Sequence, residues 1–370
     1  MALKQERNYG IDLLRMVAMF MVAVLHILGQ GGVLGNTRGF SGQYLVVWFF
    51  ELGAYGAVNL YALISGYVGI NSRYKVSNLL VLWLQVALYS LGIAVLFAII
   101  KPELCSASDV IGYAFPVITK KYWYFSAYFC LFFFMPLLNA GINAMSRQSL
   151  RRVIIAMILV FSVLASVAKE TEHDPFSLGS GYSGLWLMVL YAVGAYIGKY
   201  GMWKKTSQPA LLGIYFGCTG LSLGLKCGVQ YISGTVFNSA YYLKSIASYT
   251  SPLVLLGSIA LLLFFSRLRC GNIAKKIIAL FAPAAFGVYI IHVHPLIWES
   301  LMKNRFVPYA DLSPLALAGA VLLTAFGIYL VCSLIDLLRV WLFRLLKIRQ
   351  HCMALGERLF KDKEKIGNRK

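Results

Sequence analysis

Acidic residues are scarce in this chain: 14 of its 370 positions are Asp or Glu, and the charged residues together make up 13%. A water-soluble domain carries about twice that charged share, and with a mean hydropathy of +0.72 a soluble fold of this length is excluded. Long polar stretches are also missing, which leaves no room for a second, soluble domain between the apolar runs. Cysteine is sparse and disordered in its spacing. The seven residues Cys105, Cys130, Cys218, Cys227, Cys270, Cys332 and Cys352 form no CxxC pair, so neither a zinc site nor a disulfide framework is indicated, and no metal is expected. They read as packing residues.

Apolar runs fill the space that charge leaves. Hydrophobic residues make up 59% of the chain, and a hydrocarbon core about 30 Å thick needs roughly 20 apolar residues per helix. Ten such spans are expected, over residues 10–29, 44–64, 78–100, 122–140, 153–168, 184–198, 209–225, 250–265, 279–301 and 315–338. The fold class is therefore all-α, a polytopic integral membrane protein with about ten transmembrane helices. The first span is too long for a signal peptide, and no small-residue cleavage site follows it.

The net charge of +20 does not point to nucleic acid, because the lysines and arginines fall between the spans and not on a folded basic face. With sides assigned alternately from the N terminus, 23 of the 34 Lys and Arg residues fall on one side and nine on the other. The positive-inside rule then places both termini in the cytoplasm. Residues 347–370 form a basic, helix-compatible tail suited to anionic headgroups. Lys169, Glu170, Glu172, His173 and Asp174 are expected to form a solvated outer loop.

Ionisable residues inside a span cost roughly 2.5 kcal/mol or more at its centre, so each is a functional candidate. The first span carries Asp12, Arg15 and His26. Eleven residues separate Arg15 from His26, which in a helix is about 20° past three full turns and a rise of roughly 16 Å. The two side chains share one face, Arg15 towards the cytoplasm and His26 towards the outside. Individually they suit a snorkelling arginine paired with Asp12 and an interfacial histidine. Together they mark a face that connects the two sides of a membrane.

The segment RNYGIDLLRMVAMFMVAVLH, an arginine and a histidine with ten residues between them, resembles the first span of the membrane acyltransferase-3 family. FFELGAYGAVNLYALISGYVGINSRYK is similar to that family's second span and following loop, and KKYWYFSAYFCLFFFMPLLN, GYSGLWLMVLYAVGAYIGKYG and FGVYIIHVHPLIW to its later landmarks. The resemblance extends to about residue 340. It implies a transmembrane acyltransferase domain over residues 1–340, a basic cytoplasmic tail over 341–370, and residence in a bacterial cytoplasmic membrane. It also implies transfer of an acyl group, acetyl by default, from cytoplasmic acyl-CoA to a hydroxyl of a surface polysaccharide or its lipid-linked precursor. Acetyl-CoA is then a co-substrate, with no cofactor bound. Where the family often has two arginines three apart after the second span, this chain has Arg73, Tyr74, Lys75 and Val76.

A sugar hydroxyl needs a base, and a neutral imidazole suits that work near pH 7, which makes His26 the candidate. The CoA phosphates are anionic, so Asp12, Arg15, Arg73 and Lys75 are expected at the donor site, with the charge carried by the three cations. Glu51, at a depth near that of His26, either supports the imidazole or pairs with Arg38 or Lys121 at the outer surface. Trp123 and Tyr124 either stack on sugar rings or belong to an aromatic belt. His292 is expected to line the pore, whereas His294, two residues on, points elsewhere and shares no metal with it. Asn59 and Ser65 read as helix-packing polar groups. A proton-coupled transporter or flippase would use intramembrane Arg, His and Glu differently and is the alternative function.

Overall fold

The computed structural model describes residues 7–72, 74–239 and 241–360, with residues 107, 359 and 360 by backbone alone. Among the described residues there is no strand. The principal helices are α1 (Tyr9–Leu28), α2 (Gly42–Gly69), α3 (Val76–Ile100), α4 (Trp123–Ala144), α5 (Arg147–Glu170), α6 (Gly184–Tyr200), α7 (Gln208–Val236), α8 (Pro252–Ser266), α9 (Asn272–His292) and α10 (Pro314–Leu345), followed by α11 (Ile348–Phe360). Eight of these, all but α6, α8 and α11, are long and apolar enough to cross a membrane. The polytopic, all-α expectation holds, and α6 and α8 are the shorter helices at the remaining two expected positions.

The ends of the helices sort into two sets. Asn8, which caps α1 by accepting from the Ile11 N–H, also donates to the Ser266 carbonyl at the end of α8. The Arg267 guanidinium donates to the carbonyls of Met202, Trp203 and Thr206. Lys199 donates to Ile142 O and Asn139 to Gly69 O. The basic residues that the sequence assigns to one side thus gather at one end of the bundle. At the other end the Asn304 and Phe306 N–H groups donate to Gln30 and Gly31 carbonyls, both at 2.9 Å. Here Glu170 is more than a solvated charge. It accepts from the Tyr241 hydroxyl and from the Lys244 and Ser245 N–H groups, clasping the loop after α7.

α1 runs through the middle of the bundle, against α2, α8, α9 and α10. Because lipid offers no hydrophobic gain from pressing two helices together, close approach depends on small residues. α2 and α6 meet through them: a Cβ on Gly66 would lie 2.0 Å from Tyr191 O, and one on Gly194 would lie 2.0 Å from Leu63 O. Gly198, four residues beyond Gly194, meets Tyr67 O in the same way.

Two expected boundaries are corrected. α7 extends eleven residues beyond the expected end of its span, so Lys226 is a helical residue and not a loop cation. Its ammonium sits 3.7 Å from the Trp48 ring centroid and 4.9 Å from that of Tyr242, and this caging offsets the loss of water. The ninth helix stops at His292 instead of continuing to 301. Pro295 has no N–H to donate and forces His294 out of helical geometry, so the His294 side chain instead caps a new turn by accepting from Leu296 N–H.

Candidate functional site

The face of α1 predicted from spacing is present. At its first turn Asp12, 9% exposed, accepts from Arg7 at 2.6 Å and from Arg15 at 2.5 Å. A carboxylate in the first turn also complements the helix dipole. The three side chains line an open cleft of about 490 Å³, shared with Asn8, Tyr67 and Asn71. One cation more than the single carboxylate leaves this cleft positive.

Continuing along the same face, Met19, Val22 and His26 line a second, smaller cavity of about 40 Å³. Tyr61 stands between the two. Its ring forms part of the cavity wall and its hydroxyl donates to the Arg15 main-chain carbonyl at 2.8 Å. The remaining walls are aromatic, from Trp123, Tyr124, Tyr249, Phe286 and Tyr289. The Tyr124 and Tyr289 hydroxyls are buried and find no hydrogen-bond partner among the described residues. A buried hydroxyl left unpaired costs about 1–3 kcal/mol; Tyr122 and Tyr329, which do not line the cavity, carry such hydroxyls too, so those of Tyr124 and Tyr289 are donors available to a ligand and not by themselves the mark of a site.

His26 Nδ1 lies 2.8 Å from His292 Nε2, and the His292 Nδ1 in turn faces the Val288 carbonyl. The edge of the His26 ring meets Trp298, with centroids 4.9 Å apart at 84°. Behind the cavity, Asn59 donates to Tyr249 O at 2.8 Å and accepts from Trp186 Nε1 at 3.0 Å, which holds the aromatic wall in place.

A family model described as an acyltransferase domain, acyltransferase 3, matches residues 8–335. The chain belongs to the acyltransferase-3 family. It is a multi-pass membrane acyltransferase, and the cavity and all of the cleft except Arg7 lie within the matched region. No curated protein and no solved structure gives a match.

The other residues singled out from sequence are placed as follows. Trp123 and Tyr124 stand in the wall of the His26 cavity. His292 joins His26, and His294 turns away, with Nε2 3.1 Å from Ser90 O and its ring stacked on Tyr113 at 4.9 Å. Glu51 is 6% exposed, and its Oε2 has no partner among the described residues. It makes no hydrogen bond to His26, whose Nδ1 is taken by His292. Lys75 lines a separate cleft of about 320 Å³ against Met353, Gly356 and Glu357 of α11 and does not share the Arg15 cleft. The difference arises because Lys75 sits at the start of α3, next to the returning tail, and not on α2. Arg73 lies outside the described residues.

Sequence reasoning missed Tyr61, Tyr289 and Asp336. Tyr61 and Tyr289 are aromatic residues in apolar helices and carry no mark that separates them from packing. Asp336 did carry one: an acidic residue three before Arg339 in SLIDLLRVWLF, at the end of a span expected to stop at 338.

Proposed function

We propose that this membrane acyltransferase moves an acyl group, acetyl by default, from acyl-CoA in the bacterial cytoplasm to a hydroxyl of a surface polysaccharide or its lipid-linked precursor. The observation that carries the reading is one face of α1, with a positive cleft at Arg15 and an aromatic cavity at His26 about 16 Å further on. The end of the bundle that gathers the basic loops faces the cytoplasm in this reading, with the tail against anionic headgroups.

The donor's phosphates bind by charge at Arg7 and Arg15, with Asp12 orienting both guanidinium groups, and Arg73 of the following loop adds to the same field. The pantetheine arm is flexible and narrow enough to pass Tyr61 and bring the thioester to the cavity. His26 takes the proton of the acceptor hydroxyl as its oxygen attacks the thioester carbon. The tetrahedral intermediate carries its charge on oxygen and collapses with loss of the CoA thiolate. That thiolate takes the proton back from His26, so ester and free CoA leave and the imidazole is neutral again. Trp123 and Tyr124 present ring faces to a sugar, and Glu51, one helical turn before Tyr55, supports the aromatic wall without taking the proton.

The test is acyl transfer per folded molecule by purified protein in liposomes, with acetyl-CoA as donor and no ion gradient. His26→Gln removes the base while keeping size and polarity, so transfer falls by about 100-fold with donor binding intact. Near-normal turnover in that variant sinks the assignment. A strict need for a gradient in the wild type favours a transporter.

A further inference from the structure

We propose that His292 is a positioning residue that fixes the tautomer of His26 and leaves His26 Nε2 as the free base. This rests on the reading of His26 as the base and adds to it a partner with a defined role.

A carbonyl oxygen can only accept a hydrogen bond. The His292 Nδ1 facing Val288 O therefore carries the hydrogen. A neutral imidazole has one N–H, so His292 Nε2 is left with a lone pair and is an acceptor. The atom 2.8 Å from it is His26 Nδ1, which must then be the donor. That places the single hydrogen of neutral His26 on Nδ1 and its lone pair on Nε2, the nitrogen that no hydrogen bond among the described residues occupies. The chain of donors runs from His26 to His292 to a main-chain carbonyl. It does for His26 what a carboxylate does for the histidine of a hydrolase triad, with orientation supplied by a neutral ring and a peptide dipole.

Both rings are held where this requires. His292 is the last residue of α9, 2% exposed, immediately before the break that Pro295 imposes. Trp298, on the segment after that break, packs against the His26 ring at 84°, and a flip of that ring would turn a C–H towards His292 Nε2 and forfeit the hydrogen bond. When His26 takes a proton on Nε2, its Nδ1–H still points at an acceptor. Every bond of the resting state therefore persists in the charged state, and nothing must reorganise during transfer.

The experiment combines the tautomer with turnover. In wild-type protein carrying ¹⁵N-labelled histidine, with His26 assigned by comparison with His26→Gln, the His26 signals should show Nδ1 protonated and Nε2 bare. Replacing His292 by Leu removes the acceptor. Turnover should fall about 100-fold with the KM for acetyl-CoA within about twofold of wild type. His292→Gln restores an acceptor oxygen near the position of Nε2 and should recover turnover to within about tenfold of wild type. In a His26→Gln background His292→Leu should cost nothing further, because the partner it orients is gone. A proton on Nε2 of His26 in the wild type overturns the proposal, whether or not the Leu variant folds. So does normal turnover in His292→Leu while His26→Gln is inactive. Activity retained in His26→Gln is a different result, and it removes the base itself.

Discussion

Asp336 lies so close to Gly287 that a Cβ built on the glycine would meet the carboxyl carbon at 2.2 Å. The carboxylate is fully buried in α10 and accepts from Gln85 at 3.2 Å, Tyr89 at 2.9 Å and Arg339 Nε at 3.0 Å. Arg339 reaches on to the Pro283 carbonyl. The cluster ties α3, α9 and α10 together, and α9 is the helix that ends in His292. Gly287→Ala should therefore push α9 away from α10, costing about 1–3 kcal/mol of stability, and should slow turnover by shifting His292. Thermal unfolding in detergent and turnover per folded molecule check both parts; an unchanged melting temperature would show that the helices have room to separate.

Removing one partner of a buried pair strands the other. Asp336→Ala should destabilise by about 3–5 kcal/mol because Arg339 keeps its charge without a counter-ion. The double variant Asp336→Leu, Arg339→Met should recover most of that loss, since two apolar side chains need no partner. Comparing the single and double variants in one denaturation series is the measurement, and a double variant no more stable than the single one would mean the pair contributes more than charge balance.

The fold was legible in the sequence because a bilayer leaves few choices: a run of about 20 apolar residues must be a helix to satisfy its backbone. The Arg15 to His26 face was legible for the same reason, as it needs only the helical repeat. The His26 to His292 contact joins residues 266 apart, and no periodicity carries that information. Lys75 was misplaced beside Arg15 because charge and depth alone do not say which helix turns towards which cleft. Asp336 escaped because Arg339 looked like an end-of-span charge, although a carboxylate one helical turn away is what lets it stay inside.

At the donor end the two clefts make opposite predictions. Arg15→Ala should raise the KM for acetyl-CoA by about tenfold, the loss of one charge-assisted contact to phosphate. Lys75→Ala should leave it within about twofold, because Lys75 lines the cleft beside α11. Donor binding by calorimetry separates this from effects on turnover. Arg73→Ala is expected to follow Arg15, and equal donor affinity in that variant would remove Arg73 from the site.

The unpaired hydroxyls of Tyr124 and Tyr289 should matter only when charge develops on oxygen. A donor aimed at a tetrahedral oxyanion is worth about 10²–10³ in kcat where it is well placed. Tyr289→Phe should lower kcat by at least about tenfold, leave the donor KM unchanged, and leave the protein as stable or slightly more stable, since a buried orphan hydroxyl has been removed. Loss of stability without loss of kcat would mean that the hydroxyl serves packing alone.

Glu51 separates a catalytic contact from a supporting one. Its carboxyl is buried, and Oε2 is unpaired among the described residues. Its helix neighbour Tyr55 lies 5.2 Å from Tyr249 with the rings tilted by 42°, and Tyr249 lines the His26 cavity whereas Glu51 does not. Glu51 makes no hydrogen bond to His26, whose Nδ1 is held by His292. Buried with no cation beside it among the described residues, the carboxyl is held neutral, so its influence is limited to packing against its neighbours. Glu51→Gln should therefore lower transfer by less than about tenfold, against about 100-fold for His26→Gln. It should leave the melting temperature close to that of wild type, because an amide replaces a neutral carboxyl of nearly the same shape. Transfer rates for the two variants, measured side by side at saturating donor, decide the matter. A loss in Glu51→Gln as large as that in His26→Gln would place the carboxyl in direct contact with the reacting groups during turnover.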